Sequence, residues 1–294
     1  MAGRIHTKET LLLLFFGFAF VSPRGLQVTE RPFRGVNYTL RQETVPRAVT
    51  LHVVTVNLGD PEIQVKLSPP GGTRETVRET TLAFLNRERA QVAINAHFFL
   101  PYPSADPNAD VIGLAASEGK VYSGCEEPAQ SYAIVANAPA INFDRANHAS
   151  IVRCEDGTSL LWNTLAGSAQ IITNGVVTIP RYRDAENPSG QLTPNADYSN
   201  DRSWYALPRA RSAIGLTRDR RVLVLIAVEA VGNEENSGMT MAEVANVLHR
   251  DYGVYNAINL DGGGSTSLAI DGRMVTSGNR EVATSLAIFA ARDR

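Results

Sequence analysis

No block of lysine or arginine occurs in this sequence, and its 28 basic and 30 acidic side chains leave a formal charge of −2. A nucleic-acid binder needs a basic footprint interleaved with aromatics, so that class is excluded. The 23 glycines and 15 prolines follow no period. With no fixed repeat and no low-complexity tract, collagen, coiled coil and wholesale disorder are excluded as well. No apolar run reaches the ~20 residues that a membrane-spanning helix needs. Cysteine is scarce, with only Cys125 and Cys154, and neither a His-x-x-x-His nor a His-Glu-x-x-His metal signature is present. What remains is ordinary globular composition, 44% hydrophobic and 20% charged, enough for a sizeable core.

Arg4 and Lys8 stand ahead of the apolar run Leu11 to Val21, the pattern of a secretory signal. Residues 1–24 are therefore expected to be a signal peptide or N-terminal anchor. The protein is expected outside the cytoplasm, secreted or periplasmic, touching a membrane only through an uncleaved N-terminus. No clean Ala-x-Ala site follows, and no cysteine near residue 20 offers a lipid anchor. In an exported chain Cys125 and Cys154 are expected to form a disulfide, the alternative being two separate buried thiols.

Residues 48–57 and 62–68 read as a hairpin across Gly59-Asp60-Pro61, and 73–89 as a helix leading into a strand at 91–95. Residues 100–110 read as a loop. Short apolar pieces at 111–116, 131–136, 168–173 and 175–179 suggest sheet, the last two joined by a type I′ turn at Asn174-Gly175, and Asp271-Gly272 reads as a hairpin turn between Leu268-Ala-Ile270 and Arg273-Met-Val275. The stretch 181–209 reads as a long surface loop. Residues 212–217 and 221–229 look like two strands, the second apolar enough to be buried on both faces. Thr240 and Glu243 spell a capping box, and Gly253 is a natural helix stop before a strand at 254–260. The expected fold is α+β, a single domain on mixed β-sheet with a few flanking helices and a strand-helix-strand passage near 221–260.

Asp261-Gly262-Gly263-Gly264-Ser265-Thr266 follows the last of these strands. Consecutive glycines let backbone amides approach an anion such as phosphate. The run is neither a Walker A loop nor a dinucleotide fingerprint. Asn95 and His97 lie where an apolar strand ends, Asn95 as a substrate hydrogen-bonder and His97 as a binding residue or, more commonly, a structural histidine. Arg211 could clamp a phosphate bidentately. Glu229, closing an uncharged run, offers a second carboxylate beside Asp261.

Taken in order, Asn95-Ala-His-Phe98, Arg211-Ser-Ala-Ile-Gly215, Glu229, Asn259-Leu-Asp-Gly-Gly-Gly-Ser-Thr266 and Arg280-Glu-Val282 resemble the phosphodiester glycosidase family. That family includes the N-acetylglucosamine-1-phosphodiester α-N-acetylglucosaminidases and bacterial relatives linked to exopolysaccharide. The likeness covers roughly 85–294, with 25–84 as an N-terminal extension of the domain. His97, Ser212, Glu229 and Thr284 stand where relatives often carry Gly, Thr, Asp and Asn. The resemblance implies an exported hydrolase that cleaves a sugar-1-phosphodiester without a cofactor, its partner a carbohydrate or sugar phosphate. It implies Asp261 and Glu229 as catalytic carboxylates, with Asn95, His97, Arg211, Ser212, the 262–266 loop and Arg280 binding substrate. A non-catalytic polysaccharide-binding module, or a metal-dependent phosphodiesterase using Asp261, Glu229 and His97, are the alternatives.

Overall fold

The computed structural model describes residues 18–22, 25–125, 127–157, 160–231 and 237–292. Residues 1–17 and 23–24 of the expected targeting segment, and Gly232 after the Glu229 strand, lie outside them. The fold is α+β and mostly sheet. Two α-helices, Thr81–Glu88 and Met241–Tyr252, are found among the described residues.

The strand Val222–Ala230 shows how the layers are built. Leu223, Leu225 and Ala227 enter one core, while Val224, Ile226 and Val228 enter the other. Successive side chains of a strand point to opposite faces, so this uninterrupted apolar run must be covered on both. Each aliphatic side chain so buried contributes about 1.5–3 kcal/mol before entropy is counted. The strand lies inside a nine-stranded sheet. Gly25–Phe33, Val36–Glu43 and Val49–Asn57 are added on one side, with Phe18–Ser22 at the edge; Arg211–Thr217, Val254–Asn259 and Gln170–Thr173 follow on the other. Both Val222–Ala230 and Val254–Asn259 pair antiparallel with Arg211–Thr217 between them. The strand-helix-strand passage thus joins two like-directed strands with one strand between them.

One face of this sheet packs on the helix Met241–Tyr252 through Met241, Val244 and Leu248. The other faces a five-stranded sheet containing Val92–Asn95, Leu268–Ile270, Ser285–Phe289 and Gln64–Leu67. The helix Thr81–Glu88 covers that sheet's outer side with Phe84 and Leu85 against Ala93, Ala269 and Ala287. Residues 25–84, read as an extension, are strands and helix of these same layers.

Several local readings hold. Asn174-Gly175 and Asp271-Gly272 both turn with positive φ at their two residues, as type I′ hairpins require. Cys125 and Cys154 are joined as a disulfide, with Cα atoms 5.5 Å apart. Others are corrected. The strands Val49–Asn57 and Gln64–Leu67 exist but do not pair, because the intervening turn carries the chain from one sheet to the other. The helix begins only at Thr81, after short strands at Thr76–Val77 and Glu79–Thr80. Residues 131–136 form turns rather than a strand, their Ala133 and Ile134 packing with Phe98. The 181–209 stretch is an anchored loop, since Tyr182, Leu192 and Tyr205 are fully buried in the core beneath the Met241–Tyr252 helix.

The capping box is formed as the sequence predicts: Glu243 N–H donates to Thr240 Oγ1 at 3.2 Å, and Thr240 N–H donates to the Glu243 carboxylate at 2.8 Å. Thr240→Ala leaves the Glu243 amide without that acceptor. The expected loss is about 1 kcal/mol, read as a lower denaturation midpoint with an unchanged m-value. A midpoint equal to that of the parent would show that the cap is dispensable.

Candidate active site

Asn95 ends its strand fully buried and ties three segments together. Its Nδ2 donates to the Asp261 carbonyl at 2.7 Å, while Oδ1 accepts from the Ser212 hydroxyl at 2.7 Å and from Ser267 N–H at 3.0 Å. Beside it, Asp261 N–H donates to the Ala96 carbonyl at 3.0 Å. These bonds hold the ends of Val92–Asn95 and Val254–Asn259 against the start of Arg211–Thr217. Asn95 and Ser212 therefore build the site from beneath; neither lines the cavity that opens above them.

That cavity has a volume of about 470 Å³ and is lined by Asp261, Gly262, Gly263, Gly264 and Ser265. Gly263 has φ +57°, the left-handed region that glycine enters without a Cβ clash. Gly264 is required for a different reason: a Cβ there would stand 2.1 Å from Arg280 Nη2. Arg280 lies over that glycine with Nη1 3.4 Å from Ser265 Oγ and its guanidinium 4.7 Å from the Tyr102 ring centroid.

Arg211 supplies the opposite wall. It is fully buried, yet it makes no ion pair within 4 Å among the described residues. Its Nε donates to the Met239 carbonyl at 3.2 Å, and Nη2 to the Trp204 and Leu207 carbonyls at 2.8 and 2.7 Å. The guanidinium stacks 4.2 Å from the Trp204 ring centroid, and Nη1 is buried without a partner. Burial pushes this group down to about 9, which leaves it charged at neutral pH. Such a cation is costly to keep without a counterion, and none stands within ion-pair distance among the described residues. Arg209 also lines the cavity, so among the described lining residues three arginines stand with one carboxylate.

Burial pushes the Asp261 carboxyl up to about 6, against the hydrogen bonds from Ser265 and Gly262 N–H and the nearby Arg280 charge. Phe98, Phe99, Tyr102, Gln130, Tyr132 and Trp204 complete the lining. Of these, Phe98 ends the Asn95-Ala-His-Phe98 motif and Phe99 follows it, whereas Tyr102, Gln130, Tyr132, Trp204 and Arg209 sit in segments whose loops carry no local signature. An aromatic in a stretch poor in aliphatics, as Trp204 is, was the available signal. A larger cavity of about 640 Å³ lies where the turns at 58–64, 145–149 and 219–221 meet. It contains none of the motif residues.

The remaining candidates lie elsewhere. His97 is buried, with Nδ1 2.8 Å from Thr284 Oγ1 and Nε2 within 3.0 Å of both the Leu114 carbonyl and the Ala166 amide. Burial pushes its imidazole down to about 4, so it is neutral and structural. His97 and Thr284, two departures from the family pattern, are thus hydrogen-bonded partners of each other. Thr266 is buried below the loop and does not line the cavity. Glu229 lies on the face of its strand opposite to Val228, the residue that pairs with Arg211. It is bound by His52 Nε2 at 2.9 Å and by Ser277 N–H at 2.6 Å. The structure therefore does not bring Glu229 and Asp261 together as a pair lining one cavity, nor Asp261, Glu229 and His97 as a metal set. Among the described residues no group of three or more His, Cys, Asp or Glu is gathered.

The raised Asp261 carboxyl has a consequence for stability. Between its ordinary 3.8 and about 6 the folded state holds more protons than the unfolded state, so this group's contribution falls as pH rises through that window. Asp261→Asn removes the charge and keeps the shape. Relative to the parent, the variant is expected to melt higher at pH 7 and equally below pH 4. A variant that melts lower at pH 7 would show that the ionised carboxylate is needed for folding.

Comparison with known proteins bears on this geometry. The phosphodiester glycosidase family matches residues 88–289. The mouse N-acetylglucosamine-1-phosphodiester α-N-acetylglucosaminidase is 28% identical over 239 residues, 78% of this chain and 41% of the mouse protein. An uncharacterised SPbeta prophage-derived protein of Bacillus subtilis is 27% identical over 211 residues, 69% of this chain and 28% of its own length. The chain thus spans less than half the length of either relative. Among solved structures, the zebrafish N-acetylglucosamine-1-phosphodiester α-N-acetylglucosaminidase catalytic domain, auto-inhibited by its pro-peptide, shares the fold with a TM-score of 0.63 and 20% identity, covering 88% of this chain and 82% of that one. A hypothetical protein from Synechocystis does so with a TM-score of 0.65 and 16% identity, covering 93% and 67%. The family match runs from the end of the first helix through the last strand and takes in Asn95, Arg211, the Asp261 loop and Arg280, so the chain belongs to the phosphodiester glycosidase family.

Proposed function

We propose that this protein is a hydrolase that cleaves a sugar-1-phosphodiester, releasing the sugar and leaving a phosphomonoester on the partner group. The observation that carries the reading is the buried Arg211 guanidinium, unpaired at Nη1, in a cavity where Asp261 is the single carboxylate among the described lining residues. A phosphodiester is an anion that would neutralise Arg211 and Arg280 while its sugar rests against Trp204, Tyr132 and Phe98.

The chemistry follows from the leaving group. Hydrolysis of ordinary glycosides uses two carboxylates, one of them to protonate a poor leaving oxygen. Phosphate already leaves well as an anion, so one carboxylate and a set of cations suffice. Water adds to the anomeric carbon as the bond from that carbon to the phosphate oxygen breaks, with its electron pair staying on the phosphate. Asp261 opposes the positive charge that develops on the sugar and takes the proton of the attacking water. The arginines and the glycine-loop amides hold the phosphate as its charge grows. N-acetylglucosamine is the sugar suggested by the mouse relative's name. A glycan or exopolysaccharide as its carrier, and an extracytoplasmic location, complete the proposal; the Cys125–Cys154 disulfide supports that location.

The test is hydrolysis of an N-acetylglucosamine-1-phospho-sugar beside nitrophenyl N-acetylglucosaminide, a neutral glycoside. Asp261→Asn should lower kcat/KM by about two to three orders of magnitude, and Arg211→Ala should cost far more on the phosphodiester than on the neutral substrate. Because Asp261 acts ionised and titrates near 6, kcat/KM should rise with pH through that value and level off above it. Full turnover by Asp261→Asn would overturn the assignment. Binding of the phosphodiester without any turnover by the parent protein would leave a carbohydrate-binding module.

A further inference from the structure

Glu229 carries a partly buried hydrogen-bonded chain that the proposed reaction does not use. Three neighbouring strands contribute to it: Tyr38 from Val36–Glu43, His52 from Val49–Asn57 and Glu229 from Val222–Ala230. Tyr38 Oη lies 2.8 Å from His52 Nδ1, and His52 Nε2 lies 2.9 Å from Glu229 Oε2. The other carboxylate oxygen accepts from Ser277 N–H at 2.6 Å. Burial alone would push the Glu229 carboxyl up, but the hydrogen bonds from His52 and from the Ser277 amide and hydroxyl outweigh it and hold the group at about 2. Glu229 is therefore a permanent anion and acceptor at neutral pH, poorly suited to exchanging protons with a substrate.

What it holds is the segment that delivers Arg280. This segment is fastened at its start, where Val275 N–H donates to the Leu268 carbonyl at 2.9 Å and Thr276 Oγ1 accepts from Leu268 N–H at 3.0 Å. It is fastened at its end, where Glu281–Val282 pairs with Glu79–Thr80. Between the two, Gly278 passes so close to the glycine-rich loop that a Cβ would stand 2.3 Å from the Thr266 carbonyl. Arg280 then rests on Gly264 with no ion pair of its own within 4 Å among the described residues. Its place is set by the backbone of 275–280 and by weak contacts to Ser265 and Tyr102.

We infer that Glu229, braced by His52 and Tyr38, is a positioning residue that fixes the 275–280 loop through Ser277 and thereby aims Arg280 at the phosphate of the substrate. The inference deepens the proposed function and rests on it for the identity of the anion. It assigns Glu229 a role in anion recognition through Arg280, in place of a role as second catalytic carboxylate.

The experiment is a double-mutant cycle between Glu229→Ala and Arg280→Ala. It is read by calorimetric affinity for inorganic phosphate and by kcat/KM on the N-acetylglucosamine-1-phospho-sugar. Glu229→Ala alone is expected to weaken phosphate binding and lower kcat/KM by about 10- to 100-fold, the scale of a displaced binding group. In the Arg280→Ala background the same change should cost less than about threefold, because the residue through which it acts is gone. Glu229→Gln, which keeps an acceptor for the Ser277 amide, should recover most of the loss and serves if the alanine variant folds poorly. Additive losses overturn the inference. So does a loss of turnover with phosphate affinity unchanged, since Glu229 would then act on the reaction itself, and so does an absence of phosphate binding by the parent protein. The binding arm does not depend on turnover, so failure of the functional reading shows separately, as full activity of Asp261→Asn.

Discussion

The site depends on one buried amide. Asn95 offers both its amide nitrogen and its oxygen to three segments distant in sequence, and a buried amide left without those partners would cost several kcal/mol. With them satisfied, the Asp261 carbonyl, the Ser212 hydroxyl and the Ser267 amide are held within hydrogen-bond distance of a single side chain. The glycine-rich loop is thus fixed at its base, where Asp261 begins, and again just past its end. Its glycines are free of side chains where Arg280 must pass, and it stays in place because its ends are stapled.

The electrostatic design follows from that scaffold. Desolvation acts in opposite directions on the two kinds of charge lining the cavity, raising the Asp261 carboxyl and lowering the Arg211 guanidinium. Both shifts have one cause, the cost of holding a charge away from water. Arg211 is satisfied on three sides by carbonyls and by the Trp204 ring, which hold its plane without neutralising its charge. A carboxylate partner in their place would have produced a structural ion pair. Carbonyls orient the cation and leave the charge available. Glu229 shows the contrasting arrangement, a carboxylate whose partners are already supplied from neighbouring strands and a loop.

Much of this was legible from residue order. Thr240 and Glu243 form a local cap, and Asn174-Gly175 and Asp271-Gly272 are turns determined within four residues, so their signals are complete in the sequence. The two-sided burial of Val222–Ala230 followed from its lack of polar alternation. The glycine-rich loop stood out because three glycines, an acid and hydroxyls exceed what a simple turn requires. The hairpin reading of 48–68 failed for the opposite reason: both edges of Val49–Asn57 are taken, by the preceding strand Val36–Glu43 and by the distant Val222–Ala230, and Gln64–Leu67 pairs instead with Ser285–Phe289 in the other sheet. The anchoring of the 181–209 loop was missed because Tyr182, Leu192 and Tyr205 are widely spaced in a polar stretch, and their burial depends on a helix that begins only at Met241.

The sequence by itself determined the fold class, the family and the Asp261 loop, since these rest on periodicity, local turn chemistry and an ordered set of motifs. Tertiary structure alone decided what each motif residue does. Asn95, His97 and Glu229 belong to types that could equally bind substrate, exchange a proton or satisfy a buried partner. Which of these a side chain does depends on the face of the sheet it occupies and on which distant atoms reach it first. Neither is encoded locally: the partners of Asn95 lie 117, 166 and 172 residues away in sequence.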